Sequence, residues 1–493
     1  MKITEIERRI TPLERLFSFS PYSIVTVVAR IKGYISDEML MDAVEKVQQR
    51  HTNLRARIIT DSEHSPWFTS EDVKEIPIEI VSRENEDHWI RVHHETSKIR
   101  FSFDERPAIR LILVRSQEVC ELIILCHHII CDGLSLAYLA RDLMTYLGDP
   151  AREVEVLPDP VPIDLDNLPL DISINPITKM FINRINKQWE KDQIYFDQED
   201  YENLNDAYWM NANHHVISVE LNEPQTTKLV ERCKAENVTV NSALTMAFVG
   251  AQQLVQGNKK ELSSVGIAGS LRDRLQKPAG EEMGFFAGVV TLDYVYDKNK
   301  GFWDNARRID RKVQPLYTNK NLFKEGLTWC YLEPAILEAI NFKKLGGQVP
   351  TNFSKYEKLS TYSKKTDVVS SILRREKMES LDKLIMGTAV TNLTRMDFPR
   401  KYGDLELDRL IMNPGGAFPL SNVNLELGAV TCSGKLSLLL EYEERTVDTE
   451  TMKKIKEKAM EFLLPTSVNH VIETIKERKS GSLSKNQFEK TSS

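Results

Sequence analysis

The sequence predicts an α/β fold of two lobes, each a mixed β-sheet flanked by helices, with an active-site channel between them. The chain has 493 residues, of which 41% are hydrophobic, and a single hydrophobic core stops growing well below this length. Strand-like and helix-like segments alternate in both halves of the chain. A proline-rich, acidic stretch at residues 148–169 separates the halves and has the composition of a linker.

The domain boundaries follow from that linker. We expect an N-terminal lobe over 1–165, a linker and bridging helix over 166–210, a C-terminal lobe over 211–478 and a disordered tail over 479–493. The bridging helix is predicted at 181–196, FINRINKQWEKDQIYF, which has amphipathic spacing. Residues 301–380 match no clear pattern.

The first half begins with a strand and a helix. Residues 22–31, YSIVTVVARI, are rich in β-branched side chains and predict a buried strand. The following helix can be capped by Ser36. Residues 108–116 and 119–128 then predict the two strands of a hairpin.

The second strand of that hairpin runs directly into CHHIICDG, residues 126–133. Residues 134–147 have apolar side chains at helical spacing and predict a helix that opens just past Gly133. The motif is therefore expected on a strand-to-helix connection, where side chains project from a rigid edge.

The second half repeats this alternation. Residues 215–221 predict a strand and residues 240–255 a helix. Strand-like runs return at 384–393 and 435–445. We find no sequence repeat between the halves.

Composition and charge exclude several classes of function. The net charge is −7 with both signs mixed along the chain, so no basic surface for nucleic acid is expected. The N-terminus lacks the apolar run of a secretory signal, and no stretch approaches eighteen apolar residues. We expect a cytoplasmic, monomeric protein without a transmembrane segment.

The motif CHHIICDG contains one of three adjacent histidine pairs in the chain. After the pair His127 and His128 come three intervening residues, then an acid and a glycine. The other two pairs are not followed in this way. Given 72 acids and 21 glycines in 493 residues, chance would place that combination after one of three pairs in about 2% of cases. The four histidines of the other two pairs are His93, His94, His214 and His215. They are predicted to be surface or lobe-packing residues.

These residues resemble the HHxxxDG acyltransferase superfamily, also called chloramphenicol-acetyltransferase-like, which includes condensation domains, polyketide-associated acyltransferases and alcohol acetyltransferases. CHHIICDGLSL resembles its central motif. Further similar elements follow in the order of the superfamily: RHTNLRARI from Arg50 to Ile58, SLRDRL at 270–275, MGFFAGVV at 283–290, and VTNL with Tyr402 and Gly403. The resemblance implies two chloramphenicol-acetyltransferase-like lobes.

The resemblance implies an acyltransferase that moves an acyl group from a CoA or carrier-protein thioester to a hydroxyl or amine acceptor. General-base catalysis in a ternary complex is expected, with acyl-CoA or acyl-carrier protein as co-substrate and no bound cofactor. Hydroxyl acceptors are favoured. Two alternatives stay open: a stand-alone condensation enzyme that uses carrier-bound substrates, and a non-catalytic module that docks a carrier protein.

The resemblance assigns the catalytic positions to His128, His127, Asp132 and Gly133. A histidine suits proton abstraction because its pKa lies near neutral pH, and His128 is the expected general base. His127 is expected to be structural or to orient its neighbour. The alternative for both is a satisfied core histidine that closes a strand.

Asp132 has two possible roles. It could orient His128 as in a catalytic triad. The resemblance instead implies a salt bridge to a distant arginine, with Arg272 as first choice and Arg274 as second. Gly133 would allow a close approach of the donor, or would simply begin a helix.

Arg55 and Asn392 are the expected substrate-channel residues. Arg55 could equally form a structural salt bridge, and Asn392 could be a turn-forming asparagine. No metal site is expected, because neither cysteine nor carboxylate spacing supports one.

Overall fold

The computed structural model describes residues 7–376, 384–416 and 422–464, and these residues form three β-sheets surrounded by helices. The expected tail at 479–493 lies outside the described residues. The strands are β1 (Glu7–Arg9), β2 (Ile24–Lys32), β3 (Arg57–Thr60), β4 (Pro66–Thr69), β5 (Ile78–Ser82), β6 (Ile109–Arg115), β7 (Val119–His127), β8 (His214–Glu220), β9 (Ser264–Ser270), β10 (Ala287–Asp293), β11 (Leu384–Met396), β12 (Lys401–Tyr402), β13 (Leu405–Asn413), β14 (Asn422–Cys432) and β15 (Lys435–Glu443). The α-helices are α1 (Pro12–Phe17), α2 (Asp37–Arg50), α3 (His88–Thr96), α4 (Gly133–Gly148), α5 (Pro176–Trp189), α6 (Gln198–Asn211), α7 (Glu223–Ala235), α8 (Val240–Gln256), α9 (Phe302–Val313), α10 (Asn319–Leu322), α11 (Lys324–Tyr331), α12 (Pro334–Leu345), α13 (Tyr356–Lys364), α14 (Val368–Arg375) and α15 (Thr449–Leu463).

Two six-stranded mixed sheets form the centres of the two lobes. The N-terminal sheet has the order β12-β13-β2-β7-β6-β5, in which β5 and β6 pair in parallel and the other neighbours antiparallel. The C-terminal sheet has the order β10-β9-β11-β14-β15-β8, with β11 parallel to both β9 and β14. A small antiparallel sheet, β1-β4-β3, lies beside the first lobe. The predicted architecture of two mixed sheets flanked by helices is confirmed.

The two halves of the chain are more interwoven than the sequence predicts. Strands β12 and β13 complete the N-terminal sheet, where β13 pairs with β2, although they lie in the range 211–478 expected to form the C-terminal lobe. Helices α12–α14 of the same range also contribute to the N-terminal hydrophobic core. Strand β13 is buried along nearly its whole length, so pairing with β2 satisfies its backbone where water cannot reach.

The expected bridging helix starts earlier and ends earlier than predicted. Helix α5 covers Pro176–Trp189, with the Asn175 side chain accepting a hydrogen bond from Ile177 N and Pro176 in the first turn. Proline is favoured at this position because its fixed φ suits a helix and its missing N–H would have no helical partner. A second helix, α6, begins at Gln198 after the Asp197 cap.

The stretch 301–380, which the sequence left unassigned, is helical over most of its described part. Helix α12 of this stretch forms a salt bridge with helix α1. Arg15 Nε and Nη2 donate to the two carboxylate oxygens of Glu338, each at 2.8 Å. Both side chains are almost fully buried. The pair places α12 against α1, which itself adjoins the histidine motif.

Candidate active site

The motif lies on the connection between β7 and α4, as the sequence predicts. Strand β7 ends at His127, which pairs with Ile24 at the start of β2. Five residues later the carboxylate of Asp132 caps α4 by accepting from Ser135 N at 2.7 Å. The connection is therefore held at both ends, by the sheet ladder and by a helix cap.

His128 is buried between the two lobes, with 7% of its surface exposed. Its backbone N–H donates to Ser23 O at 2.8 Å. Its ring stacks on Phe17 of the first lobe, with ring centroids 4.9 Å apart, and meets Phe285 of the second edge-on at 5.3 Å. The imidazole therefore occupies a fixed position at the junction of the lobes.

The tautomer of His128 follows from its hydrogen bond. Nδ1 lies 3.2 Å from Cys131 O, and because a carbonyl oxygen can only accept, the tautomer that makes this bond has its proton on Nδ1. In that tautomer Nε2 is unprotonated. Burial lowers the pKa of His128 below its ordinary value, and the backbone of Cys131, Pro414 and Gly415 and the charge of Asp132 counter part of that effect. The ring is thus neutral at physiological pH and has a nitrogen able to accept a proton.

His127 points away into the core of the first lobe. Its Nε2 donates to Ser20 O at 3.1 Å, while its Nδ1 accepts from Ile129 N at 3.3 Å. Burial lowers its pKa to about 3. Both ring nitrogens are bonded to backbone, which is the structural role expected for this histidine.

Asp132 bonds to Arg272 rather than to His128. Arg272 Nη2 lies 3.1 Å from Asp132 Oδ1, and Phe286 N donates to the other carboxylate oxygen at 3.0 Å. The same Arg272 nitrogen donates to Ser135 Oγ at 2.7 Å. Arg274, the second choice, instead binds Asn319 Oδ1 at 2.9 Å. The structure therefore shows the salt bridge between the lobes, and the triad arrangement is absent among the described contacts.

Gly133 allows the two lobes to approach closely. A Cβ atom on this residue would lie 3.0 Å from Leu393 Cδ2 of β11, closer than ordinary van der Waals contact. Its backbone φ is not in the left-handed region, so the glycine serves packing here and not an unusual turn.

The two expected channel residues lie on different lobes. Arg55 ends a short 3₁₀ helix, Thr52–Arg55, and is half-buried; its Nε and Nη1 have no hydrogen-bond partner among the described residues. Burial lowers its pKa. Asn392 lies on β11, where its amide donates to Asn241 Oδ1 at 3.3 Å and its carbonyl accepts from Thr394 N at 2.8 Å.

A cavity of about 540 Å³ opens between the lobes beside the motif. Ile24 and Asn413 form its wall nearest to the motif. Ile24 follows Ser23, whose carbonyl oxygen accepts from the His128 backbone N–H. Asn413 precedes Pro414, whose backbone contacts the His128 ring. In the described residues this cavity does not reach the imidazole, and neither Arg55 nor Asn392 lines it. The channel expected at His128 therefore stays a prediction.

Three of the remaining histidines pack the lobes together on the side of this cavity. His94 Nδ1 donates to His214 O at 2.9 Å, and the rings of His94 and His215 stack with centroids 5.6 Å apart. His93 is buried. His94, His214 and His215 thus pack the lobes together, whereas His93 lies within the first lobe with its Nε2 3.2 Å from Thr26 Oγ1.

Several residues of the site could not be found from the sequence. Phe17 contacts the motif from a distant segment that no local pattern marks. Phe285 and Ser135 lie in the elements MGFFAGVV and CHHIICDGLSL, but their contacts with the motif could not be predicted from those elements. Among the described residues, no three or more potential ligands are arranged to hold a metal ion. In the same ranges, none of the helices has both the length and the apolar character needed to span a bilayer.

Comparison with known proteins supports the resemblance. Residues 1–155 match the family model "Condensation domain". Nonribosomal peptide synthetase kk1B of Curvularia clavata is 21% identical over 341 residues, which is 64% of this chain but 2% of that protein. The chain therefore corresponds to a small part of such synthetases.

Solved structures share the fold over nearly the whole chain. The trichothecene 15-O-acetyltransferase TRI3 of Fusarium sporotrichioides matches with a TM-score of 0.61 and 13% identity, covering 93% of this chain and 95% of that one. Polyketide synthase associated protein 5 of Mycobacterium tuberculosis matches with a TM-score of 0.56 and 13% identity, covering 93% and 98%. The resemblance drawn from CHHIICDG is confirmed to this extent: residues 1–155 match the condensation-domain model, and the chain shares the two-lobed fold of these solved structures.

Proposed function

We propose that the protein is an acyltransferase that moves an acyl group from a CoA or carrier-protein thioester to a hydroxyl or amine acceptor. The observation that carries this proposal is the His128 imidazole, neutral and held by Cys131 O at the junction of the lobes. Such a ring can take a proton from an acceptor as it attacks, which is what acyl transfer from a thioester requires.

The chemistry proceeds in one ternary complex. His128 Nε2 removes the acceptor proton while the acceptor heteroatom forms a bond to the thioester carbon. The carbon–sulfur bond then breaks, and the thiolate recovers a proton from the imidazolium. Asp132 acts as a positioning residue, because its carboxylate fixes the start of α4 and the second lobe through Arg272.

Turnover requires the layer between cavity and imidazole to move. Phe17 and Phe285 enclose the ring on two sides, and the segment from Asn413 to Gly415 lies between the ring and the cavity. Substrate binding would displace one of these, and the exclusion of water by the remainder would then strengthen the electrostatic interactions around the reacting atoms. Arg55 and Asn392 are assigned to the substrate channel within this proposal.

The test is a substrate panel with His128→Ala as the matched loss-of-function variant. The full chain is incubated with acetyl-CoA, longer acyl-CoAs and acylated carrier protein against alcohols and amines, and free thiol is measured. We expect acceptor-dependent thiol release, reduced about 10²- to 10⁴-fold in His128→Ala. His64→Asn changes an exposed histidine on the turn between β3 and β4, outside the cavity between the lobes, and is the control that should retain activity.

Two outcomes would contradict the proposal. Equal activity of His128→Ala and wild type would remove the proposed base. Binding of acyl-carrier protein without thiol release across the panel would favour the non-catalytic docking module. Activity restricted to pairs of carrier-bound substrates would identify the stand-alone condensation enzyme.

A further inference from the structure

A buried carboxylate with an unused oxygen borders the cavity between the lobes. Glu441 of β15 is 4% exposed, and it accepts a hydrogen bond from the Tyr22 hydroxyl on Oε1. Its Oε2 is buried and makes no close hydrogen bond among the described residues, although the Asn413 amide lies near enough to the carboxylate to lower its pKa together with Tyr22. A buried acceptor without a donor costs free energy, so a ligand that supplies a donor would be bound favourably at this oxygen.

A second carboxylate lies directly across the sheet. Glu426 of β14 pairs with Glu441 in the antiparallel register, and Glu426 Oε2 accepts from Gly416 N at 3.0 Å. Two acids opposite each other on neighbouring strands repel each other when both are charged. The arrangement therefore favours a positive charge nearby.

The cations of the protein that line this region are already paired. Arg91 lines the cavity and lies 2.7 Å from Glu84. Arg445, which lines a neighbouring pocket together with Glu441, lies 2.7 Å from Glu443. Among the described residues, neither arginine forms a salt bridge with Glu441.

Aromatic rings complete the wall around Glu441. The Tyr22 ring stacks on the His214 ring with centroids 3.8 Å apart, and Trp209 meets Tyr22 edge-on at 5.8 Å. Burial lowers the pKa of His214 to about 3, so this ring carries no charge that would repel a cation. Aromatic rings beside a carboxylate suit an organic ammonium ion.

We propose that the cavity between the lobes binds the acyl acceptor through a protonated amine, held by the Glu441 carboxylate and the rings of Tyr22 and Trp209. The volume of about 540 Å³ is within the range of small-molecule sites. A compact acceptor fits such a cavity better than the long, thin arm of a thioester donor. That the ligand is the acceptor rests on the proposed acyl transfer, whereas ammonium binding at Glu441 does not.

The bound ammonium is the anchor and not the nucleophile. A nitrogen that attacks a thioester must have a free electron pair, and a protonated amine has none. The acceptor would therefore carry two functional groups: an amine held at Glu441, and a hydroxyl or a second amine that reaches His128 past Ile24 and Asn413.

The affinity should depend on pH. Burial raises the pKa of Glu441 to about 7, so its charge, and with it the attraction for a cation, is lost as the pH falls from 8 to 6. The ionisable groups around it are Tyr22, Tyr208, His214, Glu426, Tyr442, Glu443 and Arg445. The cavity is also lined by Asp87, Arg91, His93, His94 and His215. Burial raises the pKa of both tyrosines well above 10 and keeps them neutral over this interval.

The experiment compares benzylamine with benzyl alcohol by isothermal titration calorimetry on the full chain at pH 8. The two probes have the same shape, and the amine alone is charged. We expect wild type to bind the amine about tenfold more tightly than the alcohol, and Glu441→Gln to lose that preference. Glu461→Gln, an exposed acid on α15 that changes the net charge equally, is the control and should keep it.

Equal binding of the two probes by wild type, or no detectable binding of either, would overturn the proposal. So would an unchanged amine preference in Glu441→Gln. If Glu441→Gln does not fold, the wild-type preference at pH 6 and pH 8 decides, because it must shrink at the lower pH. His128→Ala should bind benzylamine as wild type does, which separates this site from the acyl-transfer proposal.

Discussion

Asp132 and Arg272, which are 140 residues apart in the chain, form a buried salt bridge between the two lobes with 3.1 Å between Oδ1 and Nη2. Arg272 also donates to the carbonyl oxygens of Gly280 and Glu282 at 2.7 and 3.0 Å. Asp132 therefore binds Arg272 across the lobes and does not bind the His128 ring.

Loss of the charge on Asp132 should destabilise the fold. Asp132→Asn leaves the Arg272 guanidinium buried without its carboxylate, which costs about 3–5 kcal/mol. Urea denaturation measures the change in the free energy of unfolding. Asp397→Asn removes an exposed acid from a pair with Arg395 and should change that free energy by less than about 1 kcal/mol. Equal effects of the two variants would show that the buried pair contributes no more than a surface pair.

Substitutions of Gly133 and Leu393 should have non-additive effects on the free energy of unfolding, because the two residues are in close contact. Gly133→Ala places a methyl group 3.0 Å from Leu393 Cδ2 and should cost about 1–3 kcal/mol through overpacking. Leu393→Ala creates room for that methyl group. The double variant should therefore be more stable than the sum of the two single effects predicts, and strict additivity by urea denaturation would contradict the close contact.

Acid should destabilise the protein through its buried histidines. Burial lowers the pKa of His93 to about 4, below its unfolded value of about 6.5, so the unfolded state binds the proton first. The contribution of neutral His93 to the free energy of unfolding is complete above pH 6.5 and is lost as the pH falls towards 4. Each such histidine adds a slope of up to about 1.4 kcal/mol per pH unit.

Unfolding free energies at pH 7, 6 and 5 test this effect. His93→Gln should have a shallower slope than wild type in that interval because it removes one titrating group. Parallel pH profiles for wild type and His93→Gln would contradict the depressed pKa.

Arg55 should contribute to substrate binding and not to the chemical step. Its Nε and Nη1 have no partner among the described residues, so they are available to a ligand. Arg55→Met should raise KM for the acyl donor and leave kcat nearly unchanged, which is the signature of uniform binding. Arg57→Met changes an arginine that already donates to Glu71 O at 2.7 Å and is the control. A fall in kcat with unchanged KM for Arg55→Met would exclude this role.

Local patterns in the sequence were sufficient for the first lobe. The alternation of β2, α2, the β6–β7 hairpin and α4 could be predicted within one or two residues, because each element has its own apolar period and its own cap or turn. The histidine motif could be placed on its strand-to-helix connection for the same reason.

The bounds of α5 and the helices between 301 and 380 could not be predicted in this way. Helix α5 buries Ile182 and Trp189 and exposes much of the rest, so its apolar spacing is too weak to mark its ends. Helix α12 is buried nearly all round, which removes the amphipathic contrast on which such a prediction depends.

The sequence by itself determined that this is a two-lobed α/β chain with a histidine motif at the end of a strand, since local periodicity and spacing suffice for both. Tertiary structure alone decided that β13 completes the first sheet, that Phe17 and Phe285 enclose His128, and that Glu441 borders the cavity with an unused oxygen. Those relationships join residues hundreds of positions apart. They depend on burial and on the register between strands, which no local pattern encodes.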